Sequence, residues 1–531
     1  MTDFKIRTEN IKPTRILDYF VETTDDRNII NRLKSDSPII LVGSRGVGKS
    51  FLMRVAEAEL KGDFDSQKVL PVYISFTQGA VLQLSSENQF YHWMLARICS
   101  AIIRSLKKFG IVTPNVTVGS TSSEDDDNYL AKLIEEFEGS WNVPLANDVD
   151  ITKLPSIDTF KEYIEDICEE ADIESINIYI DEAAHILRPS QQRQFFGLYR
   201  DLNSPYINCS AAVYPGVTSF GDYFQPIHDA VFIDLDRNPG ASGYVDLMRD
   251  IVEKQADSTQ MANIIRNGEN FSVLAYAANG NPRLLLKTLT RAPAVSSRQI
   301  DSVIKEFYKV DIWEEHSLLA EKYNGFKGFV EWGREFIEST VLPEMKSKND
   351  GYLKTDKKTT CFFWIHKDTP ESIKKALALL CYTGIITLHS EAMKATRSEV
   401  GARYSINFGC LFSLENRPSS TSANIAKNIT IKRMTEYGAN HKSYQSMASD
   451  FDDFDDKVIS EALESQLDKS VELLDLPRWL IDKLLGLSIV TIRDVLSASE
   501  QTIQKAYYVG EVRSRYIKNE ATSAVFEYLS G

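Results

Sequence analysis

An α/β fold is what this 531-residue sequence predicts, on three observations. "SPIILVGSRGVGKSFLMRVA" (37–56) passes from an apolar strand through a glycine-rich turn into an amphipathic helix. "SINIYIDEAAH" (175–185) is a second apolar strand that ends in two carboxylates. "AANGNPRLLLKTL" (277–289) opens a later helix on Gly280-Asn281-Pro282-Arg283.

Composition sets the frame. A chain of this length is too long for one ordinary core, so three or four domains are expected. The 43% apolar and 25% charged content is that of a soluble globular protein. No uncharged apolar run long enough to span a bilayer occurs, and "MTDFKIRTENIK" has no apolar signal core; a cytoplasmic location with no membrane partner is expected. The six cysteines contain no C-x-x-C pair and read as buried free thiols. A formal charge of −15 excludes a chain that coats nucleic acid indiscriminately, while leaving room for a local basic surface.

The first stretch fits G-x-x-x-x-G-K-[ST], with Gly43, Gly48, Lys49 and Ser50 in the fixed places. Glycines let the backbone N–H groups of Ser44, Arg45, Gly46 and Val47 turn inward around phosphates, and the helix beginning near Phe51 adds its N-terminal dipole. Lys49 is expected on the β- and γ-phosphates of ATP, and the Ser50 hydroxyl on Mg²⁺. Hydrolysis needs a second metal carboxylate and a base. Asp181 and Glu182 emerge together at a strand end, Asp181 for the metal and Glu182 to polarise the attacking water. "INCSAAVYPGVTSFG" (207–221) is another buried strand, with Tyr214 and Thr218 as candidates for sensing the γ-phosphate. In "GNPR", Gly and Asn suit a turn, Pro the first helical position, and Arg283 is aimed outward.

Together these motifs resemble the AAA+ ATPases, in the branch near the origin-recognition and Cdc6-type initiators and the STAND-type signalling ATPases. The resemblance covers roughly residues 15–310. It implies a five-stranded parallel sheet followed by a helical lid, with Arg283 as the lid arginine that reaches the γ-phosphate. Phe20 and Arg27 of "RILDYFVETTDDRNIINRL" then stand where the family closes over adenine. Two departures are visible. Extra chain separates Lys49 from Asp181, including the helix "NQFYHWMLARICSAIIRSL" and the acidic "STSSEDDDN", read as a solvated loop. The stretch where relatives carry a trans-acting arginine, "VTSFGDYFQPIHD", has none, and only Arg193, Arg200 and Arg237 flank it. That favours a switch over a ring motor.

Downstream, "TPESIKKALALLCYTGIITLHSEAMKATRSEVGARYSINFG" reads as helix, strand, exposed turn and strand, with Ile386 and Leu388 pairing across to Tyr404–Phe408. It resembles a winged helix, whose DNA contacts here would be Lys374, Lys375, Lys394 and Arg397; contact with a protein is the other use of such a module. "NRPSSTSANIAKN" and "SDFDDFDD" read as linker. The C-terminal segment resembles the helix-hairpin-helix domain of the bacterial RNA polymerase α subunit. Gly510 then sits at the hairpin, with Arg513, Arg515 and Lys518 to neutralise phosphate.

The expected organisation is an ATPase core (1–238), a helical lid (239–312), a winged helix (313–415), a flexible acidic linker (416–470) and a helix-hairpin-helix domain (471–531). The expected function is an ATP-hydrolysing switch that couples nucleotide state to DNA binding. The alternative is an oligomerising regulator, for example in antiphage defence, that acts on a partner effector protein.

Overall fold

The computed structural model describes residues 4–76, 87–111, 123–139, 151–183, 189–221, 223–235, 237–322, 326–395, 398–447, 467–474 and 476–530. Five short apolar runs become strands: β1 (Ile39–Val42), β2 (Val69–Ser75), β3 (Ser175–Asp181), β4 (Ile207–Val213) and β5 (Val231–Asp234). All their pairings are parallel, in the order β2-β3-β4-β1-β5. β3 and β4 are buried along their whole length, as strands covered on both faces by helices must be.

The order brings the reading of the three motifs together. β1 lies between β4 and β5, so the loop after β1 meets the end of β4: the Gly43 N–H donates to the Val213 carbonyl at 3.4 Å. β3 is the next strand out, with Ile180 opposite Ala211, and it delivers Asp181 to the same edge. Ligands of such sheets gather at these carboxyl ends. The expected α/β core with a parallel five-stranded sheet is therefore present.

The inserted helix Glu87–Lys108 buries Phe90, Met94 and Ile102 on the sheet as its spacing predicts. The acidic stretch differs from expectation. From Ser123 onward it belongs to a helix, Ser123–Gly139, at whose start a run of acidic residues is compatible with the helix dipole; 120–122 lie outside the described residues.

After the sheet, helices Tyr244–Glu253, Ser258–Arg266, Gly268–Ala277, Pro282–Arg291 and Ser297–Glu306 follow in close succession. Side chains cap three of them: Asp257, Asn281 and Ser296 accept from the N–H groups of Gln260, Leu284 and Gln299.

A second sheet contains β6 (Phe362–His366), β7 (Ile386–Lys394), β8 (Val400–Ile406) and β9 (Thr435–Tyr437), in the order β7-β8-β6-β9. Ile386 lies opposite Ile406 and Leu388 opposite Tyr404, as the sequence pattern implies. The helix Glu371–Tyr382 covers it, burying Ile373, Ala376, Leu377 and Leu380. The expected linker is corrected over 416–447. "RPSSTSANIAK" is a helix from Pro418 to Lys427, and β9 adds a parallel strand to β6. Small side chains permit the close approach: Ser422 is fully buried, and the Thr359 hydroxyl donates to the Ile425 carbonyl at 2.8 Å. "SDFDDFDD" lies outside the described residues.

Near the C-terminus come helices Arg478–Gly486, Ile492–Ser497, Glu500–Ile503 and Glu511–Ser530. Thr491 and Asp494 form a reciprocal capping box on the second. All six cysteines are buried free thiols, and no described helix is long and apolar enough to cross a membrane.

Candidate nucleotide site

The loop from Gly43 to Lys49 is shaped by its glycines. Gly46 and Gly48 adopt φ of +86° and +110°, in the left-handed region that other residues enter only under strain. A Cβ on Gly46 would come within 2.8 Å of both Arg283 Cβ and Asn281 Oδ1. The loop is thus clasped by the start of the later helix. Asn281 joins the two, donating to the Arg45 carbonyl at 2.7 Å while its Oδ1 caps Leu284 N at 3.3 Å.

The cavity between them has a volume of about 420 Å³. Arg45, Gly46, Val47, Gly48, Lys49, Ser50 and Phe51 line one side, Pro282, Arg283 and Leu286 another, and Glu182 and Tyr214 the floor. Gly43 and Ser44 lie behind it, and their carbonyls accept from Lys49 Nζ at 2.5 and 3.1 Å. The Lys49 ammonium also sits 4.1 Å from the Tyr214 ring centroid. Burial pushes Lys49 down to about 7, with Asp181 and Glu182 opposing and Arg283 and Arg45 reinforcing.

Asp181 is buried at the end of β3. Its Oδ2 accepts from the Tyr73 hydroxyl at 2.5 Å and its Oδ1 from the Glu182 N–H at 3.0 Å, and it is hydrogen-bonded to Ser50. Burial raises its pKa, as does the neighbouring Glu182 charge; Tyr73, Ser50 and Lys49 pull it back. Glu182 takes φ +57°, which turns its side chain off the strand direction. Burial raises its carboxyl too, against Arg45, Lys49 and Arg283.

Among the described residues no group of three His, Cys, Asp or Glu could hold a metal. The Ser50 and Asp181 oxygens are the adjacent donors, which fits Mg²⁺, an ion bound by one or two protein oxygens plus phosphates and water. Arg283 is mostly buried, and its Nε has no hydrogen-bond partner among the described residues. Burial and the nearby Arg45 lower its pKa. A cavity with such a cation facing a glycine loop suits a polyanion.

Several expected positions differ. Thr218 donates to the Tyr214 carbonyl at 2.7 Å, so its hydroxyl is spent on the turn. Arg27 is held by Glu22 and Glu59, although Phe20 does line the cavity. Arg237 is engaged within the chain: it donates to the Val47 carbonyl at 2.5 Å and to Asp26 Oδ1 at 3.1 Å, bracing the loop in cis. Arg193 is exposed, and Arg200 donates to the Tyr223 carbonyl at 2.7 Å. Sequence reasoning missed Tyr73, Asn281 as a clasp, and Arg7, Thr8 and Glu9, which close the cavity from the N-terminal side. The tyrosine in the otherwise aliphatic "VLPVYIS" was the available signal for the first.

Of the nucleic-acid candidates, Lys374 pairs with Glu371 at 3.2 Å, Lys375 is half-buried on the same helix, and Lys394 ends β7 exposed. Arg397 lies outside the described residues. Lys518 turns inward to the Leu496 carbonyl at 2.7 Å, and burial lowers its pKa. Arg515 lies 3.6 Å from Glu500. The left-handed residue of the hairpin is Tyr508, φ +69°, rather than Gly510.

A family model described as ORC-CDC6-like matches residues 4–255. Among solved structures, the Aeropyrum pernix ORC1 protein in complex with DNA is similar at 13% identity and a TM-score of 0.31, over 78% of this chain and 93% of that one. No curated protein matches. The matched residues hold the phosphate loop, the carboxylate strand and all five strands of the first sheet. The likeness to the ORC-CDC6-like family thus lies in residues 4–255, the part of the chain that carries the first sheet and the glycine-rich loop.

Proposed function

We propose that the chain is an ATP-gated switch in which the nucleotide held by residues 4–255 and the lid sets how the region beyond 312 engages DNA. The observation that carries this reading is a line of contacts from the phosphate loop into the second sheet unit. Lys49 lies against Tyr214, whose ring meets that of Tyr382 with centroids 5.2 Å apart. Beside it, a Cβ on Gly384 would touch the Ser44 hydroxyl at 3.5 Å. A ligand shifts a conformational balance only through contacts that differ between the states. Tyr214 and the loop are where a γ-phosphate would make them.

In this reading the loop N–H groups and Lys49 bind the β- and γ-phosphates. Ser50 and Asp181 would hold Mg²⁺, which supplies charge neutralisation between phosphates when bound. Tyr73 fixes the Asp181 carboxylate, and Glu182 orients and deprotonates the attacking water. Arg283 brings the lid onto the γ-phosphate, and its loss of contact after hydrolysis would loosen the lid. The 313–415 region is read as a winged helix, with Lys394 at its hairpin, and 471–531 as a helix-hairpin-helix unit; their antiparallel hairpin and short consecutive helices support that reading.

Gel shifts of wild type, Lys49→Ala and Glu182→Gln, with and without ATP and magnesium, test it. Duplex binding that changes with ATP in wild type, not at all in Lys49→Ala, and irreversibly in Glu182→Gln is expected. Identical binding in all three overturns the switch. A protein that co-elutes with ATP-loaded Glu182→Gln, in the absence of DNA binding, would replace DNA with an effector as the output.

A further inference from the structure

We propose that the C-terminal helical segment carries a stacking platform for single-stranded nucleic acid, which needs no nucleotide in the ATPase cavity. Tyr507 and Tyr508 are 74% and 69% exposed, Trp479 43% and Val512 85%. Such large apolar side chains left together in water mark a binding surface.

The rings and two cations form one connected patch. Lys483 Nζ is 5.7 Å from the Tyr507 ring centroid, and Tyr507 meets Tyr508 with centroids 4.5 Å apart and planes at 78°. Arg513 donates to the Tyr508 carbonyl at 2.5 Å, and its guanidinium lies 5.3 Å from the Trp479 centroid. Tyr508 is held at φ +69°, a conformation unfavourable for an aromatic residue, and the Arg513 bond maintains it.

The chemistry selects the partner. The whole chain carries −15, yet neither Lys483 nor Arg513 has a carboxylate partner among the described residues. Asp482, the nearest acid on the first helix, is 3.3 Å from Arg478, and Glu511 is the remaining acid at the hairpin. Rings flanked by such cations match a ligand with flat faces and anionic links. Unpaired bases offer such faces; a duplex hides them in its stack, and base–aromatic stacking is tolerant of sequence. DNA and RNA strands share this chemistry.

Fluorescence anisotropy of the full chain without nucleotide tests the proposal. The probes are fluorescein-labelled oligo(dT) and oligo(U) of about twenty nucleotides and a duplex of equal length. Both single strands should bind, and at least tenfold more tightly than the duplex. Tyr507→Ala with Tyr508→Ala should weaken binding by about tenfold or more, whereas Tyr507→Phe with Tyr508→Phe should preserve it. ATP affinity and the thermal midpoint should match wild type in both, which separates this platform from the switch. A duplex bound as well as the single strands, a double alanine variant with unchanged affinity, or no binding of any oligonucleotide overturns it.

Discussion

The ring of Tyr382 meets the ring of Tyr214 edge-on, at a centroid distance of 5.2 Å and an interplanar angle of 71°. One residue ends a helix of the second sheet unit, and the other follows β4 beside the phosphate loop. Such aromatic pairs contribute about 0.5–1.5 kcal/mol beyond burial. Tyr382→Ala should therefore leave ATP affinity within about threefold of wild type, since Tyr382 does not line the cavity. It should reduce the difference in small-angle scattering between nucleotide-free and ATP-bound protein. An undiminished difference would show that this contact does not transmit the nucleotide state.

Tyr73 makes a narrower prediction. Its hydroxyl donates to Asp181 while its ring lies under the Arg54 guanidinium, 3.3 Å from the centroid. Tyr73→Phe keeps the ring and deletes a hydrogen bond to a charged group, worth about 1.5–3 kcal/mol. ATP hydrolysis should fall by about tenfold or more, with a raised magnesium requirement. ATP affinity in excess chelator should not change. Equal losses with and without magnesium would mean that Tyr73 supports the sheet rather than the carboxylate.

Two glycines contrast in a way that isolates the lid seat. Gly280 has φ +80°, and a Cβ there would lie 2.4 Å from the Arg237 carbonyl. Gly384 has φ +74° with its nearest neighbour at 3.5 Å. Gly384→Ala should incur about 1–2 kcal/mol of backbone strain alone. Gly280→Ala adds a backbone clash, so it should lower the thermal midpoint further and weaken ATP binding by at least about tenfold. Equal melting of the two variants would refute this account of the seat.

Arg237 and Asp26 form a mostly enclosed ion pair at 3.1 Å, with side chains 13% and 9% exposed. Removing one partner of such a pair costs about 3–5 kcal/mol, because the other is stranded. Arg237→Ala should destabilise strongly, and Arg237→Ala with Asp26→Ala by less than the sum of the single changes. Urea titration of the four proteins measures the coupling; strict additivity would argue that each residue acts separately.

His316 predicts an acid-sensitive element. It is fully buried, Nδ1 is 3.1 Å from the Thr383 hydroxyl, and burial holds its pKa down to about 3, with the Val330 backbone opposing and Arg334 reinforcing. The native imidazole is thus neutral where the unfolded one binds a proton. Its contribution is complete above the ordinary value near 6.5 and is lost as pH falls from there toward 3, by about 1.4 kcal/mol per pH unit. The thermal midpoint should drop between neutral pH and pH 5, and His316→Asn should flatten that drop.

The core of the site was legible because its signals are local. Gly43 to Ser50 and Asp181–Glu182 stand at strand ends, and strand ends are visible as the close of an apolar run. The clasp by Asn281 and the brace by Arg237 depend on chain folding back over 236 and 190 residues, and no local pattern encodes that. Pro418–Lys427 misled for the opposite reason. Its serines, threonine and asparagine look like a solvated tether, yet their small volume is what lets the helix pack with Ser422 fully buried. Lys518 shows the same limit at a single position: spacing put it on the last helix, but its ammonium is taken up by the Leu496 carbonyl.

The buried cysteines have a practical corollary. Cys99, Cys168 and Cys209 belong to the first sheet and its helices, and Cys361, Cys381 and Cys410 to the second unit. Burial lifts the thiols of Cys168 and Cys209 to about 12, where almost no thiolate exists. Alkylating reagents should therefore leave the intact molecule untouched and mark each half only as it opens. Mass spectrometry of peptides from the two triads would then report separately, without any engineered probe, which half loosens first.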